Sequence, residues 1–175
     1  QRITDELLAG LRGLHPLWIS THFNHPRECT REAGRALERL ADAGFPISNQ
    51  MVLLRGVNDD ADTVEQLNRW LVRHRCRPYY MFQCDPVEGT AHLRTPIETG
   101  LRILDALRGR LSGLAIPHFA VDLPGGGGKV TLTPDRLVRR EGSRWTFRDG
   151  QGREFVYVDP PLDEARHLRR LPIAL

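Results

Sequence analysis

The sequence predicts an α/β fold of parallel strand–helix units that form part of a larger barrel. Three observations predict it. Apolar, β-branched runs alternate with segments of helical periodicity, turn-forming residues separate the two, and helix-start and helix-stop signals stand where the periodicity changes. Three such units cannot close a barrel, and alone they would make a sheet with exposed edges. We therefore expect the chain to supply one part of a barrel.

The first unit is a strand at 17–21 followed by a helix at 31–43. The strand is a short apolar and β-branched run after a proline. Gly44 stands after the helix, where a C′ glycine commonly ends one. The apolar residues with helical spacing are Ala33, Leu37, Leu40 and Ala41.

The second unit begins with a strand at 47–54, and a turn at 58–60 follows it. Asp62 and Glu65 resemble a capping box, which predicts the start of a helix. The apolar stripe of that helix is Val64, Leu67 and Leu71.

The third unit is an aromatic-rich strand at 78–83 and a helix with a clear start signal. Thr95 is the predicted N-cap, Pro96 is the first helical residue, and Glu98 is the third. The apolar face continues through Leu101, Leu104, Leu107 and Leu111.

After residue 115 the alternation of strand-like and helix-like segments ends, and short β-like runs follow. We expect strand–helix units at 1–115, a glycine loop with a β-rich extension at 116–158, and a tail at 159–175. The β-like runs of the extension lie at 116–121, 130–132, 136–140, 144–148 and 153–158, with a hairpin turn at 150–152.

The composition of the chain argues against nucleic-acid binding and against a membrane span. The 175 residues are 40% hydrophobic and 27% charged, typical of a globular protein, and a net charge of +3 does not favour nucleic-acid binding. The chain has no apolar run of about 20 residues and no signal segment, so we expect no membrane span and a cytoplasmic location. It opens at Gln1 and not at Met, so a targeting segment could precede it.

Polar clusters follow the predicted strands, where parallel α/β folds place their functional groups. His22 and His25 could bind a polar ligand or a metal, or belong to a hydrogen-bonded loop. Asn49 and Gln50 lie in an apolar strand, so they need either a ligand or backbone partners. Asp85 after the third strand is a functional carboxylate or a turn former.

The densest signal is the run from Asp122 to Lys129, which contains four consecutive glycines. Ordering such a run costs conformational entropy, so it is either a linker or a place where something approaches the backbone closely. It lacks the spacing of a Walker phosphate loop. A lysine on such a loop could form a Schiff base with a carbonyl cofactor such as pyridoxal phosphate.

Six motifs together resemble the lysine 2,3-aminomutase family, whose members are radical enzymes dependent on S-adenosylmethionine (SAM) and pyridoxal phosphate. The motifs are THFNHP at 21–26, NQMVLLRGVND at 49–59, RPYYMFQCD at 77–85, LRTP at 93–96, SG at 112–113 and VDLPGGGGK at 121–129. The resemblance implies the C-terminal half of a partial TIM-type radical-SAM barrel, followed by a small β-rich extension.

The resemblance also implies roles for single residues. Lys129 would carry pyridoxal phosphate. His22 and Gln50 match positions that contact SAM. Asp85 and Asp122 match the carboxylates that hold the distal ammonium of the substrate, and two carboxylates select a basic side chain. The implied enzyme is an isomerase that converts L-lysine to β-lysine by moving the amino group from C2 to C3.

The sequence departs from the family pattern in three places. The CxxxCxxC motif for the [4Fe–4S] cluster is absent, so its cysteines are expected upstream, in the missing N-terminal half of the same barrel. The isolated chain is therefore predicted to be inactive. Phe82 replaces a tyrosine of clostridial-type members. No C-terminal cysteine cluster for structural zinc is present, so no metal ligand is expected in this chain and a homo-oligomer stays open.

Three other functions remain open at this point. One is the sibling group of radical enzymes that support β-lysylation of a translation elongation factor, the EF-P type. Another is an arginine-type 2,3-aminomutase, because two carboxylates can also bind a guanidinium. A third, of another class, is a non-catalytic half-barrel module that binds pyridoxal phosphate or SAM.

Overall fold

The computed structural model describes residues 2–160 and divides the chain into two compact units, Gln1–Pro134 and Asp135–Leu175. The segment at 116–134, which the sequence groups with the extension, belongs by its contacts to the first unit. The tail expected at 159–175 lies outside the described residues from residue 161 onward.

From residue 17 onward the first unit alternates strands and helices, as the periodicity predicts, and the helix at Asp5–Arg12 that precedes them was not predicted. Its helices are α1 (Asp5–Arg12), α2 (Arg31–Asp42), α3 (Ala61–Arg73) and α4 (Ile97–Arg108). Its strands are β1 (Ile19–Thr21), β2 (Ile47–Leu53), β3 (Cys76–Gln83), β4 (His118–Leu123) and β5 (Gly128–Leu132). The observed bounds differ from the predicted ones by about two residues, the usual uncertainty at element ends.

These five strands form one sheet in the order β1-β2-β3-β4-β5. The first four are parallel, and β5 returns antiparallel to β4. A mixed α/β fold with a parallel sheet is therefore confirmed. Parallel strands place their C-terminal ends at one edge of the sheet, and loops at that edge can share a site.

Helices α2, α3 and α4 cover one face of the sheet. Along β2 the buried side chains alternate with half-buried ones, because successive residues of a strand point to opposite faces. The core is an apolar cluster drawn from both layers, and its largest fully buried members are Phe119, Met51, Leu53, Leu67, Leu71, Met81, Leu104, Leu107 and Val64.

Helix α3 begins at a different residue from the predicted one. Its N-cap is Asp60, whose carboxylate accepts hydrogen bonds from Thr63 N at 2.8 Å and Thr63 Oγ1 at 2.6 Å. Asp62 lies inside the first turn, and Glu65 accepts from the Arg69 guanidinium. The predicted capping box of Asp62 and Glu65 is therefore wrong, because Asp60 is the residue whose side chain caps the helix.

Helix α4 begins one residue later than predicted. Its N-cap is Pro96, so the prediction of Thr95 as N-cap is wrong. Thr95 is buried, and its carbonyl accepts a hydrogen bond from Gln83 Nε2 at 2.6 Å. That contact links Thr95 to the end of β3, and the buried Thr95 hydroxyl makes no capping hydrogen bond to the helix.

Strand β3 contains an irregularity at Pro78. The register with β2 shifts after Asn49, which pairs with Pro78, so that Gln50 pairs with Tyr80. Proline lacks an amide donor and is tolerated in an inner strand at a bulge. The shift puts Tyr79 and Tyr80, although consecutive, on the same side of the sheet, since their rings lie 4.1 Å apart.

The second unit contains an antiparallel three-stranded sheet in the order β6-β7-β8. Its strands are β6 (Leu137–Glu141), β7 (Arg144–Arg148) and β8 (Glu154–Val158). The turn predicted at 150–152 joins β7 to β8, and Gly152 adopts a φ of 83° there. Among the described residues, no helix is long and apolar enough to cross a membrane.

Candidate functional site

The second face of the main sheet, away from α2 to α4, carries the polar residues predicted to be functional. We call it the open face, because its side chains are half-buried or exposed. Its central members are Ser48, Gln50, Tyr80, Phe82, Asp122 and Lys129. A cavity of about 420 Å³ lies on it beside Gln50 and Tyr79.

The glycine run is the turn of a β-hairpin between β4 and β5. Gly125, Gly126 and Gly128 have φ values of 68°, 80° and 78°, a region that side chains with a Cβ rarely adopt. At Gly127 a Cβ would lie 2.8 Å from Leu123 Cβ. Three of the four glycines are therefore favoured by their backbone conformation, and Gly127 is favoured by the lack of space for a side chain. The hairpin pairs Asp122 directly with Lys129.

Lys129 is the only lysine in the chain, since the other 24 basic residues are arginine. Arginine stays charged and cannot act as an amine nucleophile, whereas lysine can. Lys129 is therefore the one side chain of this sequence that offers a primary amine. The sequence predicted Lys129 from its loop, and its uniqueness is a second signal that points to the same residue.

The Lys129 ammonium lies over two aromatic rings and near a carboxylate. Nζ is 4.0 Å from the Phe82 ring centroid, 4.7 Å from the Tyr80 ring centroid, and 3.8 Å from Asp122 Oδ1. The Lys129 and Asp122 side chains are 38% and 47% exposed, so the ion pair contributes at most about 1 kcal/mol. The amine is therefore directed but remains accessible to a ligand.

Tyr80 is a site residue that the sequence did not single out. Its hydroxyl lies 3.4 Å from the Tyr79 hydroxyl, and this hydrogen bond, with desolvation and the nearby Asp122 carboxylate, raises the Tyr80 pKa. The phenol therefore stays protonated near neutral pH. Pro78 inside a strand was the signal that could have revealed it, because a bulge brings two consecutive tyrosines to one face.

The two predicted substrate carboxylates lie at the ends of neighbouring strands. Phe82 of β3 pairs with Ala120 of β4, Asp122 lies two residues beyond Ala120, and Asp85 lies three residues beyond Phe82. Asp85 is exposed, and its main-chain carbonyl accepts from Thr90 Oγ1. The fold thus brings Asp85 and Asp122 to the same edge of the sheet.

His22 follows β1 and Gln50 lies on β2, so both are separated by β3 from Asp122 on β4 and Lys129 on β5. Each directly follows a residue of the register pair Thr21 and Asn49. His22 is exposed, and within residues 2–160 its side chain makes no hydrogen bond. Strands are spaced about 4.8 Å apart, so β2 with Gln50 and β5 with Lys129 lie roughly 14 Å apart across the sheet.

Three other polar residues of these motifs, Asn49, Asn58 and His25, form hydrogen bonds with main-chain groups. Asn49 bonds Phe23, Asn58 bonds Asn24 and Val52, and His25 caps a short 3₁₀ helix at Pro26–Glu28. Of the alternatives left open by the sequence, backbone partners therefore apply to Asn49 and a structural loop to His25.

The three cysteines belong to no cluster of potential metal ligands within the described residues. Burial raises the pKa of Cys76 to about 11, and burial together with Glu28 raises that of Cys29 to about 11. Both groups therefore favour the neutral thiol over the thiolate. Across residues 2–160, no three His, Cys, Asp or Glu side chains gather as metal ligands would.

This geometry defines a class: an α/β protein with a solitary amine and a carboxylate paired on the open face of a parallel sheet. The family model described as lysine-2,3-aminomutase matches residues 104–166. L-lysine 2,3-aminomutase of Fusobacterium nucleatum is 48% identical over 160 residues, covering 91% of this chain and 38% of that protein. Glutamate 2,3-aminomutase of Clostridioides difficile is 44% identical, covering 96% of this chain and 40% of that protein.

The chain belongs to the lysine 2,3-aminomutase family. It spans about two fifths of the length of the curated relatives it matches. Among solved structures, a radical SAM methyltransferase from Sphaerobacter thermophilus shares the fold with a TM-score of 0.50 at 20% identity, over 66% of this chain and 38% of that one.

Proposed function

We propose that the chain is the C-terminal part of a radical-SAM, pyridoxal-phosphate-dependent 2,3-aminomutase that acts on L-lysine, and that its open face is the interior of a partial barrel. The observation that carries the proposal is the solitary Lys129 amine, paired in register with Asp122 and lying over Tyr80 and Phe82. The family supports an isomerase activity, and the α/β fold of the radical SAM neighbour is consistent with it.

The residues present fit pyridoxal phosphate and SAM. Lys129 offers an accessible amine beside a glycine turn whose residues add no side-chain bulk. His22 offers a polar group directly after β1, and Gln50 offers one in the middle of β2. Pyridoxal phosphate supplies an aldehyde and an electron-accepting ring when bound, and SAM supplies the group that removes a β-hydrogen. The cysteines do not fit an iron–sulfur cluster, and we propose that its ligands lie outside these 175 residues.

The chain's own residues would bind and orient the substrate. Asp85 and Asp122, at the same sheet edge, would accept charge-assisted hydrogen bonds from the distal ammonium of lysine. The roughly 14 Å between β2 and β5 leaves room for the substrate between the SAM side and the lysine side. The Tyr80 and Phe82 rings would keep water from the amine.

The family relatives act on two different amino acids by name, since glutamate 2,3-aminomutase is also a relative, so the choice of substrate needs its own argument. Two carboxylates would repel the side chain of glutamate, so we propose lysine. In the whole protein, Asp122→Asn should lower kcat/KM for L-lysine about tenfold to a hundredfold, through loss of a charge-assisted hydrogen bond. Formation of β-lysine is measured by chromatography.

Asp42→Asn is the matched control, because Asp42 is an exposed carboxylate on α2 that pairs with Arg75. It should leave kcat/KM unchanged. Equal turnover of lysine by the Asp122→Asn protein, or faster turnover of glutamate than lysine by the unmodified protein, would contradict the lysine proposal.

A further inference from the structure

Asn49 lies on the helix-covered face of β2 and is 1% exposed, so it cannot reach a ligand on the open face. All the hydrogen bonds of its amide nevertheless go to the segment that carries His22. Oδ1 accepts from Phe23 N at 2.7 Å and from Thr21 Oγ1 at 3.1 Å. Nδ2 donates to Phe23 O at 3.0 Å.

The amide takes the place of a missing strand partner. The pairing of β1 with β2 ends at Thr21, so Phe23 receives no ladder bonds. Asn49 pairs with both backbone groups of Phe23, as a neighbouring strand would. Aspartate lacks the donor for this arrangement, and glutamine is longer by one methylene.

Both neighbours of His22 are fixed as a result. Thr21 Oγ1 also lies 3.0 Å from Ser48 O, and Phe23 is bonded at its amide and its carbonyl. Farther along, Asn24 Oδ1 accepts from Val52 N at 2.8 Å. Within residues 21–24, His22 alone has a side chain that is exposed, and it has no hydrogen bond to the rest of the described chain.

We infer that Asn49 is a positioning residue for His22: its amide holds Thr21 and Phe23 so that the imidazole between them is presented beside Gln50. Because its backbone is held on both sides, the Cα–Cβ bond of His22 keeps one direction, and the ring, which has no hydrogen bond of its own, stays available to a ligand. The part of this inference that gives His22 its ligand, SAM, rests on the proposed function.

The test is nuclear magnetic resonance of the 175-residue chain with labelled histidine, in which His22→Gln identifies the His22 ring signals. In Asn49→Ala, these signals should collapse toward the positions of an unstructured histidine. Titration with SAM should move them in the wild type, with a dissociation constant about tenfold weaker in the variant.

Asn68→Ala is the matched control. Asn68 is equally buried, but its Nδ2 donates to Ala115 O on the helix side. This variant should be destabilised without any change at His22. If Asn49→Ala does not fold, Thr21→Val replaces only the hydroxyl with a methyl group, and it should shift the His22 signals less but in the same direction.

Three results decide the inference. Unchanged His22 signals and an unchanged response to SAM in the folded Asn49 and Thr21 variants would overturn it. The same disturbance of His22 in Asn68→Ala would also overturn it, by showing general loosening. If Asn49→Ala disorders His22 while SAM moves no His22 signal even in the wild type, the positioning stands and the proposed SAM contact fails.

Discussion

At the scale of single residues, Asp60 and Lys129 each contact a side chain that the backbone brings beside them. Asp60 meets Thr63 in the first turn of α3, and Lys129 meets Asp122 across the hairpin. The first pair fixes the start of a helix, and the second directs an amine. Neither pair was evident from the sequence alone. The Asp60 cap depends on where the helix begins, and the contact between Lys129 and Asp122 depends on the register of the hairpin.

The Asp60 cap predicts a pH-dependent contribution to stability. Hydrogen bonds from the Thr63 hydroxyl and the Thr63 amide lower the Asp60 pKa below 3.8 in the folded state. Its stabilisation is therefore fully present above about pH 3.8 and is lost as pH falls through the lower folded pKa. Asp60→Ala should lower the free energy of unfolding by about 1 kcal/mol near neutral pH, measured by urea denaturation.

The control for this prediction is Asp60→Asn, which keeps a capping oxygen without the charge. It should cost less than Asp60→Ala, and its effect should vary less with pH. A cost of Asp60→Ala that is the same near neutral pH and in acid, below the folded pKa, would show that the ionised carboxylate is not what stabilises α3.

At the scale of elements, helix packing on the sheet leaves no room at one glycine. A Cβ built on Gly100 of α4 would lie 2.3 Å from the Phe119 ring, whereas one on Gly10 of α1 meets nothing within 4 Å. Gly100→Ala should destabilise the protein by about 1–3 kcal/mol through overpacking. Gly10→Ala should stabilise it by up to about 1 kcal/mol through helix propensity.

Thermal unfolding of the two variants measures this contrast. Both substitutions add one methyl group to a helix, so a difference in sign isolates the contact with Phe119. A Gly100→Ala protein that melts at or above the wild-type temperature would mean that α4 does not approach β4 as closely as the structure indicates.

The elements also show what the sequence could and could not predict. Periodicity located the four parallel strands and α2 to α4, because each buries one apolar stripe. It could not supply the return of β5 beside β4, which depends on a glycine hairpin that also reads as a linker. Nor could it supply the bulge at Pro78, because tertiary pairing of β2 and β3 sets that register.

Some of the site residues could also be predicted from the sequence, and others could not. The five residues chosen from motifs lie in two places. Gln50, Asp122 and Lys129 lie on the open face, and His22 and Asp85 lie in the loops that follow β1 and β3. Their assigned roles stay predictions. Tyr80, Phe82 and Asn49 acquire their contacts only through pairing across strands, so no local pattern displays those contacts.

At the scale of the molecule, the candidate site and the buried core both lie in the first unit. Every member of the apolar core cluster falls between Ile3 and Leu132. The chain divides into its two units at Pro134. A single core with its own sheet is what an independently folding domain requires.

We therefore expect residues 1–134 to fold without the remainder. The shortened chain should unfold in one cooperative transition and retain Lys129 with its partners, as followed by circular dichroism during denaturation. A shortened chain with no cooperative transition would show that the first unit depends on residues beyond Pro134.

The most direct test of the central claim is borohydride reduction of the chain in the presence of pyridoxal phosphate, followed by peptide mass spectrometry. Because Lys129 is the only lysine, the amino terminus is the only competing amine. We expect stable phosphopyridoxyl attachment to the peptide containing Lys129, and none on that peptide in Lys129→Arg. Attachment at the amino terminus alone would contradict it.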